Sequence, residues 1–146
     1  MIIYEWSVPF AITELEGYVT LIIEWRKEES SPKIRDGRKS ALFKTRALIS
    51  GYAVEVAFKT LFVIDNPDKG FEGTHKLLDL YDGLREETKE SLDKADIHRF
   101  YIEVHPQPFI DNRYFMEGKK GEKILIHHPK ELISLIHIIK ERYKQV

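Results

Sequence analysis

The segment from Ala41 to Ile64 limits the possible folds of this chain more than any other feature. If this segment forms a helix, apolar residues lie on every side of it. A helix that is apolar on every side is either surrounded by protein or lies in a membrane. The longest nearly uncharged run of the segment, Thr45 to Ile64, still contains Arg46, Glu55 and Lys59, whose charges are costly inside a bilayer. It therefore predicts the buried central helix of a bundle and not a membrane span. Its large apolar residues are Leu42, Phe43, Leu48, Ile49, Tyr52, Val56, Phe58, Leu61 and Phe62.

Composition sets bounds on the class of protein and on its partners. The chain has 146 residues, which suits one domain over 1–146. Its 23 Lys and Arg against 24 Asp and Glu give a net charge of −1, so nucleic-acid binding requires a local basic patch. The absence of cysteine excludes disulfide scaffolds, thiol nucleophiles and sulfur-ligated zinc sites. Residues 1–5 lack a basic leader, and a cytoplasmic location is therefore expected.

Apolar spacing predicts further helices on both sides of the central one. The first is expected to begin near Ser7, with Pro9 in its first turn, and to be followed by a charged loop from Arg26 to Ser40. Thr74 is the expected N-cap of a short helix, and a polar helix is expected from Arg85 to Asp96. Pro129 is expected to open the last helix, whose predicted apolar stripe is Leu132, Leu135, Ile136, Ile139 and Tyr143.

A small β element is predicted between the polar helix and the last helix. Asn112–Glu117 and Glu122–His128 flank the turn sequence Gly118-Lys-Lys-Gly121, which is typical of a β-hairpin. Short connections between helices favour antiparallel neighbours. The sequence therefore predicts a mainly α fold, an antiparallel bundle of four to five helices with a β-hairpin inserted before the last one.

Three motifs follow one another between Ala41 and Glu117. The central helix contains Gly51-Tyr-Ala-Val-Glu-Val-Ala-Phe-Lys59, which has the pattern G-Y-A-x-E-x-x-x-K. Gly73-Thr-His75-Lys-Leu77 then precedes Leu80-Tyr81, and Asn112-Arg-Tyr-Phe-Met-Glu117 follows, with Phe115 where proline is common. In this order the motifs resemble those of the HEPN (higher eukaryotes and prokaryotes nucleotide-binding) family.

The resemblance implies an all-α bundle that forms a homodimer and works on or beside RNA or nucleotides. Many HEPN proteins are metal-independent endoribonucleases of toxin–antitoxin and defence systems, and these carry an R-x4-6-H motif near their last helices. Here Arg99 and His105 match that motif. Other members bind nucleotides or protein partners without catalysis. The alternative for this chain is thus a non-catalytic module that binds a nucleotide or an antitoxin-type partner protein.

If the motif is catalytic, it supports transesterification at an RNA phosphodiester. His105 would move a proton at the 2′-hydroxyl or the leaving oxygen, which suits its titration near neutral pH. Arg99 would stabilise negative charge on the phosphoryl oxygens through its planar donor fork. The alternative is a surface pair in which the turn at Pro106 fixes His105. No cofactor or metal is expected, because His127, His128 and His137 do not share one face.

A second group of residues from the motifs is expected to hold the bundle together or to line a pocket. Glu55 and Lys59 are four residues apart on a helix, the spacing of an intrahelical ion pair. A carboxylate in so apolar a helix also favours a partner from another element, and the best candidate is Arg113, followed by Tyr114 in its motif. His75 is expected at the start of a helix, as a loop anchor or a neutral acid–base group.

The candidate nucleic-acid site is a run of six basic residues with Asp36 as its only acid, which we call the basic segment. A local cluster of this kind supplies phosphate contacts that the net charge does not. A smaller cluster of Lys119, Lys120 and Lys123 lies at the predicted hairpin turn. The residues of the basic segment are Lys33, Arg35, Arg38, Lys39, Lys44 and Arg46.

Overall fold

The computed structural model describes residues 6–69, 76–97, 102 and 129–145. Helix accounts for 81% of these residues and no strand occurs among them, which confirms the predicted mainly α class for the described part of the chain. The predicted hairpin, at residues 112–128, lies outside it. The helices are α1 (Val8–Glu29), α2 (Asp36–Asp65), α3 (Leu77–Asp82), α4 (Glu86–Lys94) and α5 (Pro129–Lys144).

Helix α1 begins as its sequence predicts. Ser7 is extended, and its side-chain oxygen accepts a hydrogen bond from the backbone N–H of Phe10 at 3.3 Å. This bond satisfies one of the donors left free at the start of a helix, and Pro9 in the first turn has no N–H to satisfy. The helix runs antiparallel to α2, because the Trp6 indole before it donates to Thr60 Oγ1 near the far end of α2.

The predicted loop from Arg26 to Ser40 is wrong at both ends. Helix α1 continues to Glu29 and α2 begins at Asp36, so the connection is only residues 30–35. The charged residues on either side are helical, and those facing each other across the turn form ion pairs, Arg38 with Glu28 and Arg46 with Glu29. Reading charge as a loop signal missed this, because opposite charges on adjoining helices attract each other.

Helix α2 is the centre of the bundle, as its apolar sequence predicts. From Ala47 to Asp65 most of its residues are buried, and Phe58 and Leu61 are almost inaccessible to solvent. Leu15 and Ile22 of α1 and Leu135 of α5 complete the same core. By length and composition alone α2 is long and apolar enough to cross a membrane, and 67% of its most apolar stretch is buried inside the structure. The core helix of a soluble protein has these same properties.

Helix α5 packs against both α1 and α2. Lys140 lies 3.4 Å from Glu16 of α1, and Arg142 reaches Asp65 at the C-terminal end of α2. Helix α5 therefore runs antiparallel to α1 but parallel to α2, so the bundle is not antiparallel throughout. The predicted apolar stripe is wrong at Tyr143, which is 41% exposed, while the charged Arg142 is buried one residue earlier.

Asp65 joins three helices at one end of the bundle. Its Oδ1 lies 3.2 Å from Arg142 Nη2, and its Oδ2 accepts the backbone N–H of Arg85 at the start of α4 at 2.8 Å. The Asp65 side chain is 1% exposed and that of Arg142 is 11% exposed. Removing one partner of such a pair leaves a buried charge uncompensated, at a cost of about 3–5 kcal/mol. The pair thus fixes how α5 and α4 lie against α2.

The short helix α3 begins later than expected. Its first residue is Leu77 and Lys76 is its extended N-cap, so the predicted N-cap at Thr74 is wrong. Gly83 ends the helix, and its carbonyl accepts a hydrogen bond from Asn66 Nδ2 at 2.8 Å. A Cβ on Gly83 would stand 2.4 Å from Cε2 of Phe62 on α2. Glycine is therefore required here for close approach of the two segments.

Replacement of Gly83 by alanine should destabilise the protein. The new methyl group collides with the ring of half-buried Phe62, so the ring or the turn must shift, at a cost of about 1–3 kcal/mol. Urea unfolding followed by circular dichroism measures the change. Gly17→Ala is the matched control, since a Cβ there meets nothing within 4 Å. It should raise the free energy of unfolding by about 0.5–1 kcal/mol. Equal stability of Gly83→Ala and wild type would contradict the close approach.

Candidate nucleic-acid interface

The first turns of α2 stand apart from the core and carry half of the basic segment, Arg38, Lys39 and Lys44. No residue from Asp36 to Thr45 is buried, and Ala47 is the first buried residue of the helix. At 1.5 Å per residue this part of α2 extends over about 15 Å. One helix therefore supplies both the centre of the bundle and an accessible cationic surface at its N-terminal end.

Three side chains of the basic segment are free to bind an anion. Lys33, Arg35 and Lys39 are exposed. Among the described residues, none of the three forms an ion pair with a carboxylate. Lys44 is half-buried and likewise has no ion-pair partner in this part of the chain. Exposed unpaired cations keep their full charge for a ligand, so these residues form the accessible part of the predicted site.

Arg38 is also accessible but is paired. Its guanidinium contacts the carboxylate of Glu28, and the two side chains are 63% and 38% exposed. The hydrogen bond that Arg38 donates to Glu28, together with the negative charge of Glu28, raises the pKa of Arg38 above its ordinary value. Ion pairs this exposed add little to stability. A phosphate can therefore replace Glu28 as the partner of Arg38 at small cost.

Arg46 is placed differently from the rest of the basic segment. Its Nε and Nη2 donate to the two carboxylate oxygens of Glu29 at 2.6 and 3.1 Å, and the side chains are only 12% and 10% exposed. A bidentate pair of this kind is strong and directional. Its guanidinium carbon also lies 5.6 Å from the centre of the Phe43 ring, within cation–π range. Arg46 is thus a bridge between α1 and α2, where the sequence predicted a phosphate contact.

A separate polar cluster lies between α1 and the middle of α2. Lys59 Nζ is 3.2 Å from Glu55 Oε2, as their spacing predicts, and the side chains are 12% and 3% exposed. Next to this pair, the rings of Tyr18 and Tyr52 meet edge to face with centroids 5.8 Å apart. This cluster was not predicted, because Tyr18 and Tyr52 occur at the spacing of apolar core positions. Their signal was the carboxylate of Glu14 one turn before Tyr18.

Both phenols in this cluster hold their protons more tightly than a free tyrosine. Burial raises the pKa of Tyr18 above 10.0, and the charge of Glu14 and the hydrogen bond to Tyr52 add to the effect. Burial likewise raises the pKa of Tyr52, and the charges of Glu14 and Glu55 add to it, while the hydrogen bond with Tyr18 acts against it. At neutral pH the cluster has two neutral phenols beside two acids.

Several predicted site residues lie outside the described part of the chain. The two candidate catalytic residues, Arg99 and His105, are among them, as are His75, Arg113 and Tyr114. Arg113 of the predicted Glu55–Arg113 link and the lysines at 119, 120 and 123 also lie outside the described residues. Within the described residues, no group of three or more His, Asp or Glu side chains is arranged to hold a metal ion. His137 is exposed on α5.

Comparisons with known proteins do not identify a family. No protein-family model matches this chain, and no curated protein or solved structure is significantly similar to it. The resemblance to HEPN proteins therefore stays a prediction from the three sequence motifs. The geometry of the described residues is the remaining guide to function.

Stability should fall in alkaline solution through the Tyr18–Tyr52 pair. Because the pKa of both phenols is raised by folding, the folded state keeps protons that the unfolded chain releases. The two protonated phenols contribute fully to the free energy of unfolding below about pH 10, and this contribution is lost as the pH rises above that value. Urea unfolding at about pH 9 and about pH 11 should show a smaller loss of stability in Tyr52→Phe than in wild type. The control Tyr143→Phe, at an exposed position, should behave as wild type, and an unchanged slope in Tyr52→Phe would contradict the prediction.

Proposed function

We propose that this protein is an HEPN-like RNA-binding module, cytoplasmic and homodimeric, that binds the RNA backbone through the basic segment. The observation that carries the proposal is a set of three exposed cations at the start of α2 that have no carboxylate partner among the described residues, Lys33, Arg35 and Lys39. They lie within seven residues of one another in a chain whose net charge is −1. Such a local field attracts a polyanion although the whole protein does not.

Phosphate binding at this surface follows from its charge and exposure. Lysine and arginine side chains that contact phosphates release condensed counterions, so the affinity falls as the salt concentration rises. Arg38 adds a fourth cation through an exposed pair that a phosphate can displace. Because these contacts involve only the backbone of the nucleic acid, they give affinity without base specificity.

A second proposal concerns catalysis. We propose that Arg99 and His105 cleave the bound RNA without a metal ion, as in the ribonucleases that the motif resembles, in a toxin–antitoxin or defence system. Ile102, which lies between them in the sequence, is fully buried in the core, so the motif includes a residue that is fixed to the bundle. The alternative is a non-catalytic module that binds a nucleotide or an antitoxin-type partner through the same fold.

The basic segment should account for RNA binding. Replacing Lys33, Arg35 and Lys39 together by alanine should weaken binding of a mixed-sequence single-stranded RNA by about 10- to 100-fold at 0.1 M salt. The slope of log affinity against log salt should fall by about 2, since each phosphate contact contributes about 0.7 for single strands. Fluorescence anisotropy with a labelled RNA measures both quantities.

The matched control removes the same charge elsewhere. Lys69, Lys94 and Lys144 are exposed in other parts of the chain, and their joint replacement by alanine changes the net charge equally. This variant should bind RNA nearly as wild type does. Equal weakening in both triple variants would show that net charge matters and not the basic segment, and would refute the proposed site.

The cleavage proposal is tested with a mixed RNA pool in the presence of EDTA. Wild type should produce fragments that end in 2′,3′-cyclic phosphate, because the 2′-hydroxyl attacks the neighbouring phosphodiester. His105→Ala and Arg99→Ala should each abolish cleavage, whereas His137→Ala, at an exposed position on α5, should leave it unchanged. Cleavage that survives the loss of His105 would exclude this residue as the catalyst. RNA binding without cleavage by wild type would favour the non-catalytic module.

A further inference from the structure

We infer that the RNA bound at this surface is single-stranded and that one unpaired base stacks on the ring of Phe43. The inference rests on the proposed RNA-binding function and specifies its substrate class. It comes from the placement of an aromatic side chain among the cations of the basic segment. In proteins that bind single strands, cationic side chains follow the backbone and aromatic rings receive the bases.

Phe43 stands on the same side of α2 as Lys39, one of the accessible cations. Lys39 precedes it by four residues and Arg46 follows it by three, so the three side chains share one face of the helix. Arg35 lies one turn before Lys39, whose backbone N–H donates to the Arg35 carbonyl at 2.9 Å. Successive members of this row are about 6 Å apart along the helix. The aromatic ring thus continues a line of cations instead of standing beside it.

The core does not explain why position 43 is aromatic. Phe43 is half-buried, and among the described residues it is neither part of the hydrophobic core nor packed against it. Phe58 and Phe62, further along α2, are in the core or packed on it. Within the described part of the chain, an aromatic ring outside the core and next to cations without an ion-pair partner has a surface suited to a flat ligand.

The Phe43 ring is also held in place. The guanidinium of Arg46 lies 5.6 Å from its centre, and the bidentate pair with Glu29 fixes that guanidinium. Because Phe43 is half-buried and not fully buried, part of its side chain is accessible to a base. The ring is therefore preorganised, and little side-chain freedom remains to be lost on binding.

Stacking on Phe43 requires a base that is not already stacked and paired in a duplex. In an A-form RNA helix, side chains reach mainly the backbone and the shallow minor groove, so an aromatic ring on a helix surface finds no free base face. In a single strand the base faces are accessible without breaking base pairs. The same cations would contact the phosphates of single-stranded and duplex RNA alike. A contribution of Phe43 to the affinity is therefore expected only for the single strand.

The test compares oligonucleotides that differ only in their bases. The probes are a labelled oligouridylate of about 12 nucleotides, an abasic RNA of the same length, and a duplex RNA of similar length. Wild type should bind the oligouridylate about tenfold or more tightly than the abasic strand, which is within the range for stacking of one or two bases. Phe43→Leu should bind both single strands with the lower affinity and should bind the duplex as wild type does.

Two further variants control for structural effects. Phe43→Tyr retains an aromatic face and should retain the preference for the strand with bases. Phe10→Leu removes a ring that is 63% exposed near the opposite end of α1 and should also retain it. Circular dichroism and thermal unfolding establish that each variant is folded.

The possible results separate this inference from the function on which it rests. A preference for the oligouridylate that persists in Phe43→Leu overturns the stacking inference alone, as does equal weakening of duplex binding in that variant. If wild type binds neither single strand in a salt-dependent manner, the proposed function fails and the inference fails with it. Loss of the base preference in Phe43→Leu, restored in Phe43→Tyr, supports both.

Discussion

Burial of α2 between the other helices is the constraint on which this structure depends. The helix has almost no polar face from Ala47 onward, so its stability requires α1, α3 and α5 to cover it. Buried ion pairs stand near both ends of the covered part, Glu29 with Arg46 and Asp65 with Arg142. Apolar contacts favour burial of α2 but allow the neighbouring helices to shift along its axis. The ion pairs do not allow this shift, because each guanidinium must meet its carboxylate.

The division of α2 into a covered part and an uncovered part links the fold to the proposed function. The turns before Ala47 are polar enough to remain in contact with solvent, and they carry exposed cations together with Phe43. The pair between Arg46 and Glu29 lies at the boundary between the two parts. It fastens α2 to α1 at the point where the helix leaves the core, and it also holds the cation behind the Phe43 ring. A rigid bundle can thus present a binding surface on a regular helix.

Much of the fold could be predicted because local patterns decide it. The N-cap at Ser7, the start of α5 at Pro129 and the central burial of α2 follow from side-chain hydrogen bonding, proline geometry and hydrophobicity. The errors arose where a distant partner overrides the local pattern. The charged residues after Arg26 are helical because they pair across a turn, and Arg142 is buried in place of Tyr143 because Asp65 lies opposite it. For the candidate site, the sequence located the cations but not their partners.

The sequence by itself determined the mainly helical class, the identity of the central helix and the position of the basic segment, since each depends on residues close together in the chain. Tertiary structure alone decided which of these cations have a carboxylate partner among the described residues. Arg46 is bound to Glu29 while Arg35 and Lys39 remain exposed, and nothing in the spacing of these residues distinguishes them. It also placed Tyr18 against Tyr52 and the Arg46 guanidinium against Phe43. Contacts between helices depend on their relative position, and only packing of the whole bundle sets it.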